Sequence, residues 1–426
     1  MKILLLAFNV QEDIFPYGLS YLKGYAQRFH PETDIRIKEF SFGNRFGYDI
    51  NKNIEQQAIS YILIQKPDLV CFSCYIWSIE MVVKISRAIK IINPEIKIIL
   101  GGVEVTENHL QESHCDYITT GEGEIALKEL IDYYKGKIKL SEVHNISYLE
   151  KDQNVQNKIV QNELTKLELD TLPFPYKVLP EKKNFEAVRI ETSRGCPFGC
   201  HYCYYAKHKE MRYFSLDYLK ENITYLFDNY TFKNLTFLDA NFNLNKERMA
   251  AILQIVADNV NKTKKKTRIN LELKPELIDQ EVIAILQKQP FKTFAELGLQ
   301  STDPDVLEKS SRPYNLEKVK NSLELLNTSS VLYKIDLMAG LPGDNFYKFL
   351  NSARFLLNNA KKQSILPVHH YMQLNKTTFC QNKEIYRYEK NNSSMIIKTD
   401  TQDLLDFYKI KLFVAMLNEE LKIENR

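Results

Sequence analysis

Residues 187–203 read AVRIETSRGCPFGCHYC, an alternating apolar run that breaks into a loop punctuated by Gly195, Pro197 and Gly199. The alternation predicts a strand, and the glycines and proline predict its end. On the loop stand Cys196, Cys200 and Cys203 in CxxxCxxC spacing. Three thiolates on such a loop can ligate three irons of a cubane cluster and leave the fourth iron open to another ligand. Structural zinc asks for four ligands, usually from CxxC pairs, and His201 sits cramped between two of the cysteines, so a zinc knuckle is the weaker reading.

Downstream, NLTFLDA (234–240), RINLELK (268–274), FAELGLQ (294–300), YKIDLMA (333–339) and LPVHHYMQL (366–374) repeat the strand pattern, and each but the last is followed by a helical one. Six such units predict a partial (β/α)6 barrel, with its chemistry at the strand C-termini. At that mouth, alternation places His369 and Tyr371 on one face and His370 on the other. We take His369, Tyr371 and Glu272 as catalytic candidates, with Lys274 beside them in LELK.

Upstream, KILLLAF (2–8), DIRIKEF (34–40), DLVCFSC (68–74), IKIIL (96–100) and DYITT (116–120) alternate with amphipathic stretches. Continuous apolar runs of this kind predict an open, mostly parallel, doubly wound α/β sheet with its ligand site at the strand C-termini. The loops there are rich in glycine: PYGLSYL opens a helix after the first strand, SCYIWS (73–78) follows the third, and GGVEVT (101–106) and GEGE (121–124) come next. Glycines at successive strand ends permit close backbone approach to a bulky or phosphorylated ligand. Residues 144–160 predict a hairpin turning at 151–154, and the prolines of LDTLPFPYKVLP mark a linker. The expected layout is a first domain over 1–160, a linker over 161–185, the barrel over 186–380 and a tail over 381–426 ending in a packing helix, LLDFYKIKLFVAML (404–417).

Seven cysteines, an odd number, argue against a disulfide framework. Cys71 and Cys74 form a second CxxC, but two residues three apart on a strand face opposite sides, so both are expected to pack inertly, as are Cys115 and Cys380. The 57 basic and 54 acidic residues leave a charge of +3 spread along the chain, which disfavours nucleic acid as a partner. The basic run Lys262, Lys264, Lys265, Lys266 and Arg268 reads as a solvated loop. No apolar stretch approaches the roughly 20 residues that span a bilayer, so the expectation is a cytoplasmic chain without a membrane contact.

The cysteine loop at the end of a barrel strand closely resembles that of the radical S-adenosylmethionine superfamily. FLDANFN (237–243), ELGLQS (296–301) and IDLMAGLPGD (335–344) are similar to further strand motifs of the class whose members carry an N-terminal cobalamin domain, and the upstream glycine loops resemble that domain. The resemblance implies a 4Fe-4S cluster on Cys196, Cys200 and Cys203. S-adenosylmethionine would chelate the open iron, with Tyr202 against the adenine and Asp239, Asn241, Gln300, Ser301 and Gly340 around the rest. It also implies cobalamin in the first, Rossmann-like domain, against Tyr17, Ser73, Tyr75, Ile76, Trp77, Gly101, Gly102, Val103, Glu104, Gly121, Glu122 and Gly123. The DxHxxG motif that supplies a cobalt-ligating histidine elsewhere is absent, so Tyr75, Ile76 and Trp77 are expected below the cobalt.

The activity this implies is cobalamin-dependent radical methylation of an unactivated carbon in a small molecule or peptide, with electrons from a flavodoxin or ferredoxin. Ring contraction or cyclisation, non-radical methyl transfer and, from another class, a non-catalytic cobalamin or cluster sensor are the alternatives. Neither substrate nor oligomeric state is legible.

Overall fold

In the computed structural model the chain folds as two compact units, Met1–Lys182 and Lys183–Arg426. The structure describes residues 1–10, 12, 14–44, 47–48, 53–151, 157–179, 183–382, 388–390 and 394–424.

The first unit is built on β1 (Lys2–Asn9), α1 (Tyr17–Phe29), β2 (Asp34–Ser41), α2 (Ile54–Gln65), β3 (Leu69–Ser73), α3 (Ile79–Ile92), β4 (Lys97–Gly101), β5 (Tyr117–Thr119), α4 (Gly123–Tyr134), β6 (Ile146–Lys151) and β7 (Asn157–Gln161). The sheet order is β2-β1-β3-β4-β5-β6-β7. The first five strands are parallel, and β6 and β7 add an antiparallel hairpin at the edge. The turn of that hairpin lies outside the described residues apart from Lys151.

Successive β1 residues enter opposite cores. Ile3 and Leu5 pack under α1 and α4 with Leu19, Ala126 and Leu130, while Leu4, Leu6 and Phe8 pack under α2 and α3 with Ala58, Ile62 and Ile85. A strand covered on both faces is the reason KILLLAF is apolar throughout. The chain leaves β1 toward β2 on one side and β3 on the other, and this reversal opens a crevice at the strand C-termini.

The second unit carries β8 (Asn184–Ile190), α5 (Leu216–Asn229), β9 (Thr231–Phe237), α6 (Lys246–Thr263), β10 (Arg268–Leu273), α7 (Gln280–Gln287), β11 (Lys292–Gln300), α8 (Leu316–Thr328), β12 (Leu332–Ala339), α9 (Phe346–Asn359), β13 (Val368–His370) and α10 (Leu404–Glu424). Its six main strands are all parallel and pair in chain order, the arrangement of an opened barrel. Alternate residues face the helices: Ala295, Leu297 and Leu299 of β11 and Ile335, Leu337 and Ala339 of β12 are buried, while Glu296, Gly298, Gln300, Lys334 and Asp336 line the inner face.

Asn245, Asp279, Asn315 and Asn345 each cap the following helix by accepting a backbone N–H, which fixes where α6, α7, α8 and α9 begin. Two short strands, Tyr388–Lys390 and Ile396–Thr399, pair antiparallel in the tail, which the sequence pattern did not announce. Among the described residues no helix is long and apolar enough to cross a membrane.

Candidate functional site

The cysteine loop is shaped by its own backbone. Gly195 has φ +105°, and a Cβ there would collide with the Glu210 carbonyl, because the loop returns to pair Ser193 with Tyr213 and Arg194 with Arg212. Only glycine fits that position. The Cys196 N–H donates to His208 O at 2.8 Å. Cys196 and Cys200 are buried and Cys203 is half-buried. Burial raises the Cys196 thiol and pushes that of Cys203 up to about 11. His201 turns its Nδ1 to Lys309 O at 3.0 Å and its ring edge to Phe379, away from a ligand's role.

Two nitrogen donors meet the sulfurs. Asn241 Nδ2 lies 3.3 Å from Cys196 Sγ, and Arg312 Nη1 lies 3.4 Å from Cys200 Sγ while its Nη2 donates to Gly298 O at 2.5 Å. Arg312 had no signal in the sequence; it stands on the connection between β11 and α8. Behind the loop, buried Lys274 pairs with Glu276 and sits 4.2 Å above the Phe198 ring. Among the described residues no three His, Cys, Asp or Glu side chains converge on one metal ion. The thiols of a cubane's ligands each meet a different iron, so they need no such convergence.

The other residues expected around S-adenosylmethionine divide by what they already bond. Both Asp239 carboxylate oxygens accept from the loop, Oδ1 from the hydroxyls of Thr192 (2.7 Å) and Ser193, and Oδ2 from Thr192 N (3.2 Å). These bonds support a role in holding the cysteine loop against β9. Burial raises the Asp239 pKa, and the hydroxyl and amide donors oppose that rise. Gln300 differs. It adopts φ +73° at an irregularity in the β11–β12 register, and its buried Oε1 has no protein partner. Both the positive φ and the unpartnered acceptor set it apart from its neighbours on β11. Ser301 is buried, and Gly340 holds φ +88°. Tyr202 packs against the cluster of Leu341, Tyr371, Phe379 and Ile396, with its hydroxyl buried.

The inner face carries a row of charges set by parallel register. Glu272 of β10 lies opposite Glu296 of β11, Lys334 Nζ lies 3.2 Å from Glu296 Oε2 and 3.9 Å from Asp336 Oδ2, and His369 Nε2 lies 3.4 Å from Asp336 Oδ2. The Glu272 side chain is open to solvent. The surrounding strands nevertheless displace enough water, with Glu296 adding repulsion, to push its pKa up to about 7. The Asp336 carboxylate raises that of His369, whereas burial holds His370 neutral, near 4.

Glu272 and His369 thus share one row, and Tyr371 does not join it. The strand ends at His370, and Tyr371 is buried, 3% exposed, in the apolar cluster, while His369 is exposed. The alternation expected for His369 and Tyr371 stops one residue too early. Glu296, Lys334 and Asp336 are the members of the row that sequence reading passed over.

In the first unit a cavity of about 210 Å³ opens beside the C-termini of β3, β4 and β5, between them and α1 and α4. Ser73, Gly101, Gly102, Gly121 and Gly123 line it, joined by Gly18 and Thr119. A Cβ on Gly18 would meet nothing within 4 Å, so it would point into open space. Gly102 serves a different end: its φ is +112°, and a Cβ would lie 2.5 Å from Cys74 O.

Seven expected residues do not line this cavity: Tyr17, Tyr75, Ile76, Trp77, Val103, Glu104 and Glu122. Tyr17 packs edge-on to Tyr21, and Glu122 Oε2 accepts from Leu167 N at 2.9 Å. Glu104 is buried. Tyr75 and Trp77 stack with ring centroids 4.7 Å apart, half-exposed, and Trp77 Nε1 donates to Phe8 O at 2.8 Å, which pins a flat aromatic surface at the strand ends.

Comparison with known proteins finds a domain match in each of the two units. Residues 3–131 match the B12 binding domain model, and residues 190–356 match that of the radical SAM superfamily. The chain therefore belongs to the radical SAM enzymes that carry an N-terminal B12-binding domain.

Among curated proteins it is 30% identical over 248 residues to an uncharacterized methyltransferase of Pyrococcus horikoshii (55% of this chain, 50% of that protein). It is 25% identical over 363 residues to the 2-(S-pantetheinyl)-carbapenam-3-carboxylate methyltransferase of Streptantibioticus cattleyicolor (79% and 51%). The chain spans about half the length of these relatives. Its fold matches the radical S-adenosylmethionine methyltransferase TsrM of Kitasatospora setae, with TM-score 0.67, 14% identity and coverage of 88% and 75%. It also matches the cobalamin-dependent enzyme OxsB, with TM-score 0.66, 16% identity and coverage of 90% and 55%.

Proposed function

We propose that this chain is a cobalamin-dependent radical S-adenosylmethionine methyltransferase that methylates an unactivated carbon of a small molecule or peptide, drawing electrons from a flavodoxin or ferredoxin. The observation that carries the reading is the presence in one chain of the donor-backed cysteine loop and the glycine-lined slot beside β3–β5. The names of the relatives support methyl transfer, and their substrates, where named, include a carbapenam carboxylate and tryptophan.

The residues fit the implied groups. Cys196, Cys200 and Cys203 would hold the cluster, with Asn241 and Arg312 donating to sulfur. Gln300 Oε1 has an acceptor to offer S-adenosylmethionine, and the Gly18–Gly101–Gly121 slot has room for a flat heterocyclic tail. When bound, these groups supply a 5′-deoxyadenosyl radical and a transferable methyl group.

What the chain itself does is hold and orient. Asp239 ties the cysteine loop to the end of β9. Glu272, poised near neutrality, can take a proton from a substrate at its carboxylate. Asp336 orients His369 through Nε2, leaving Nδ1 for exchange with a substrate.

The test is product analysis of anaerobically reconstituted protein with iron, sulfide, cobalamin, S-adenosylmethionine, a reductant and a panel of candidate substrates that includes amino acids, peptides and carboxylate-bearing small molecules. Radical methylation yields both 5′-deoxyadenosine and S-adenosylhomocysteine. S-adenosylhomocysteine alone would indicate polar methyl transfer, 5′-deoxyadenosine alone a non-methylating radical reaction, and neither product a sensor.

A further inference from the structure

Two cations stand behind the cysteine loop with a single carboxylate between them. Lys274, 5% exposed, follows β10, and its backbone is clamped by the buried Asn243 side chain, which accepts from the Lys274 N–H at 2.9 Å and donates to its carbonyl at 3.0 Å. The ammonium therefore starts from a fixed point. It lies 4.2 Å above the ring of Phe198, a residue of the cysteine loop itself, and pairs with Glu276 in the turn Pro275–Leu277. The Oε2 of Glu276 is buried and takes no hydrogen bond among the described residues. Arg312 supplies the second cation, with Nη1 against Cys200 Sγ and its Nε enclosed. Burial opposes the charge on Arg312, but Tyr202, Cys200 and the Glu276 carboxylate favour it and hold its pKa above the usual value.

The charges in this corner do not cancel. Asp239, which also backs the loop, has Arg248 as a counter-charge, so Lys274, Glu276 and Arg312 leave one positive charge in excess. An unbalanced charge acts strongly where water is excluded. The potential of an iron–sulfur cluster follows the net charge around it and the hydrogen bonds to its sulfurs. One electron passed from a flavodoxin or ferredoxin to a cluster on these cysteines makes it one unit more negative, with no bond of the chain made or broken. Positive charge nearby favours that state. We propose that Lys274, Glu276 and Arg312 set the reduction potential of the cluster, the two cations raising it and the carboxylate holding it down. They are positioning residues that act through the cysteine loop, and the inference rests on the cluster assignment in the proposed function.

Potentiometric titration of the anaerobically loaded full chain, followed by the electron paramagnetic resonance signal of the reduced cluster, tests it, with iron content measured in parallel. Glu276→Gln leaves both cations and should raise the midpoint by about tenfold in the reduction equilibrium, ~59 mV for one electron. Lys274→Met leaves Arg312 against Glu276 and should lower it by a similar amount. Both changes in one chain restore the single excess charge and should return the midpoint to the wild-type value. Because the double variant leaves no buried charge uncompensated, it should fold even where Lys274→Met does not, and Glu276→Gln, which keeps the side-chain shape, then decides with it. A purely structural tether would change iron content or melting temperature without these opposite shifts. Loaded variants whose midpoints stay at the wild-type value, or move the same way in both single variants, would overturn the inference alone. A wild-type chain that takes up no iron would overturn the cluster assignment and the inference with it.

Discussion

The Arg312 guanidinium lies 3.4 Å from the Cys200 sulfur, although 112 residues separate them in the chain. It bridges the cysteine loop to the β11 backbone at Gly298. Replacing Arg312 with Gln should leave the fold intact and loosen the cluster, since loss of an outer partner of a metal ligand costs roughly 10- to 100-fold in affinity. Iron and sulfide content after a chelator challenge reads this directly. Cys196, Cys200 and Cys203 changed together to Ala should remove all bound iron and all cleavage of S-adenosylmethionine. An iron-loaded triple variant would refute the cluster assignment.

For the B12 slot, Gly18→Leu is the informative change. Glycine is a weak helix former, and the added side chain enters open space at the start of α1, so stability should not fall. Cobalamin binding, followed by its visible spectrum after gel filtration, should be lost while iron incorporation is untouched. Gly102 is a poor choice for the same test, because its positive φ and its closeness to Cys74 would damage the loop itself.

Cys71 and Cys74 should prove inert toward iron. They enter separate cores on opposite faces of the sheet, Cys71 beside Leu5 and Cys74 beside Leu6. Changing both to Ala should leave the iron content at the wild-type value and lower stability by about 1–2 kcal/mol through lost packing. Reduced iron loading with a normal melting curve would contradict this.

Glu272 should imprint a pH dependence on stability. Its pKa is raised in the fold from 4.5 to about 7, so the folded protein binds a proton that the unfolded chain releases between those values. Stability is then lost as pH rises through that window. Glu272→Gln should flatten this decline, which denaturant titrations of the metal-free chain at pH 5 and pH 8 would show. An identical slope in the variant would mean that Glu272 is fully hydrated.

The sequence by itself determined the local facts. CxxxCxxC spacing needs only one loop, and Gly195 announces that loop because no other residue fits its backbone. The continuous apolar run KILLLAF and the alternating run FAELGLQ determined their strands, since burial on two faces or one is written into adjacent residues. Which inner-face residues meet was decided only by the tertiary structure. Glu272, Glu296, Asp336 and His369 come from four strands, and a shift of one residue in any pairing would turn its side chains toward the helices. Arg312 reaches Cys200 for the same reason, and Tyr371 misses the row because β13 ends before it. On α10 the sequence predicted a packing helix but not its open face. Apolar and charged residues are mixed around α10 without one dominant stripe, so its sequence carries no mark of which side meets the barrel until the barrel is there to cover one.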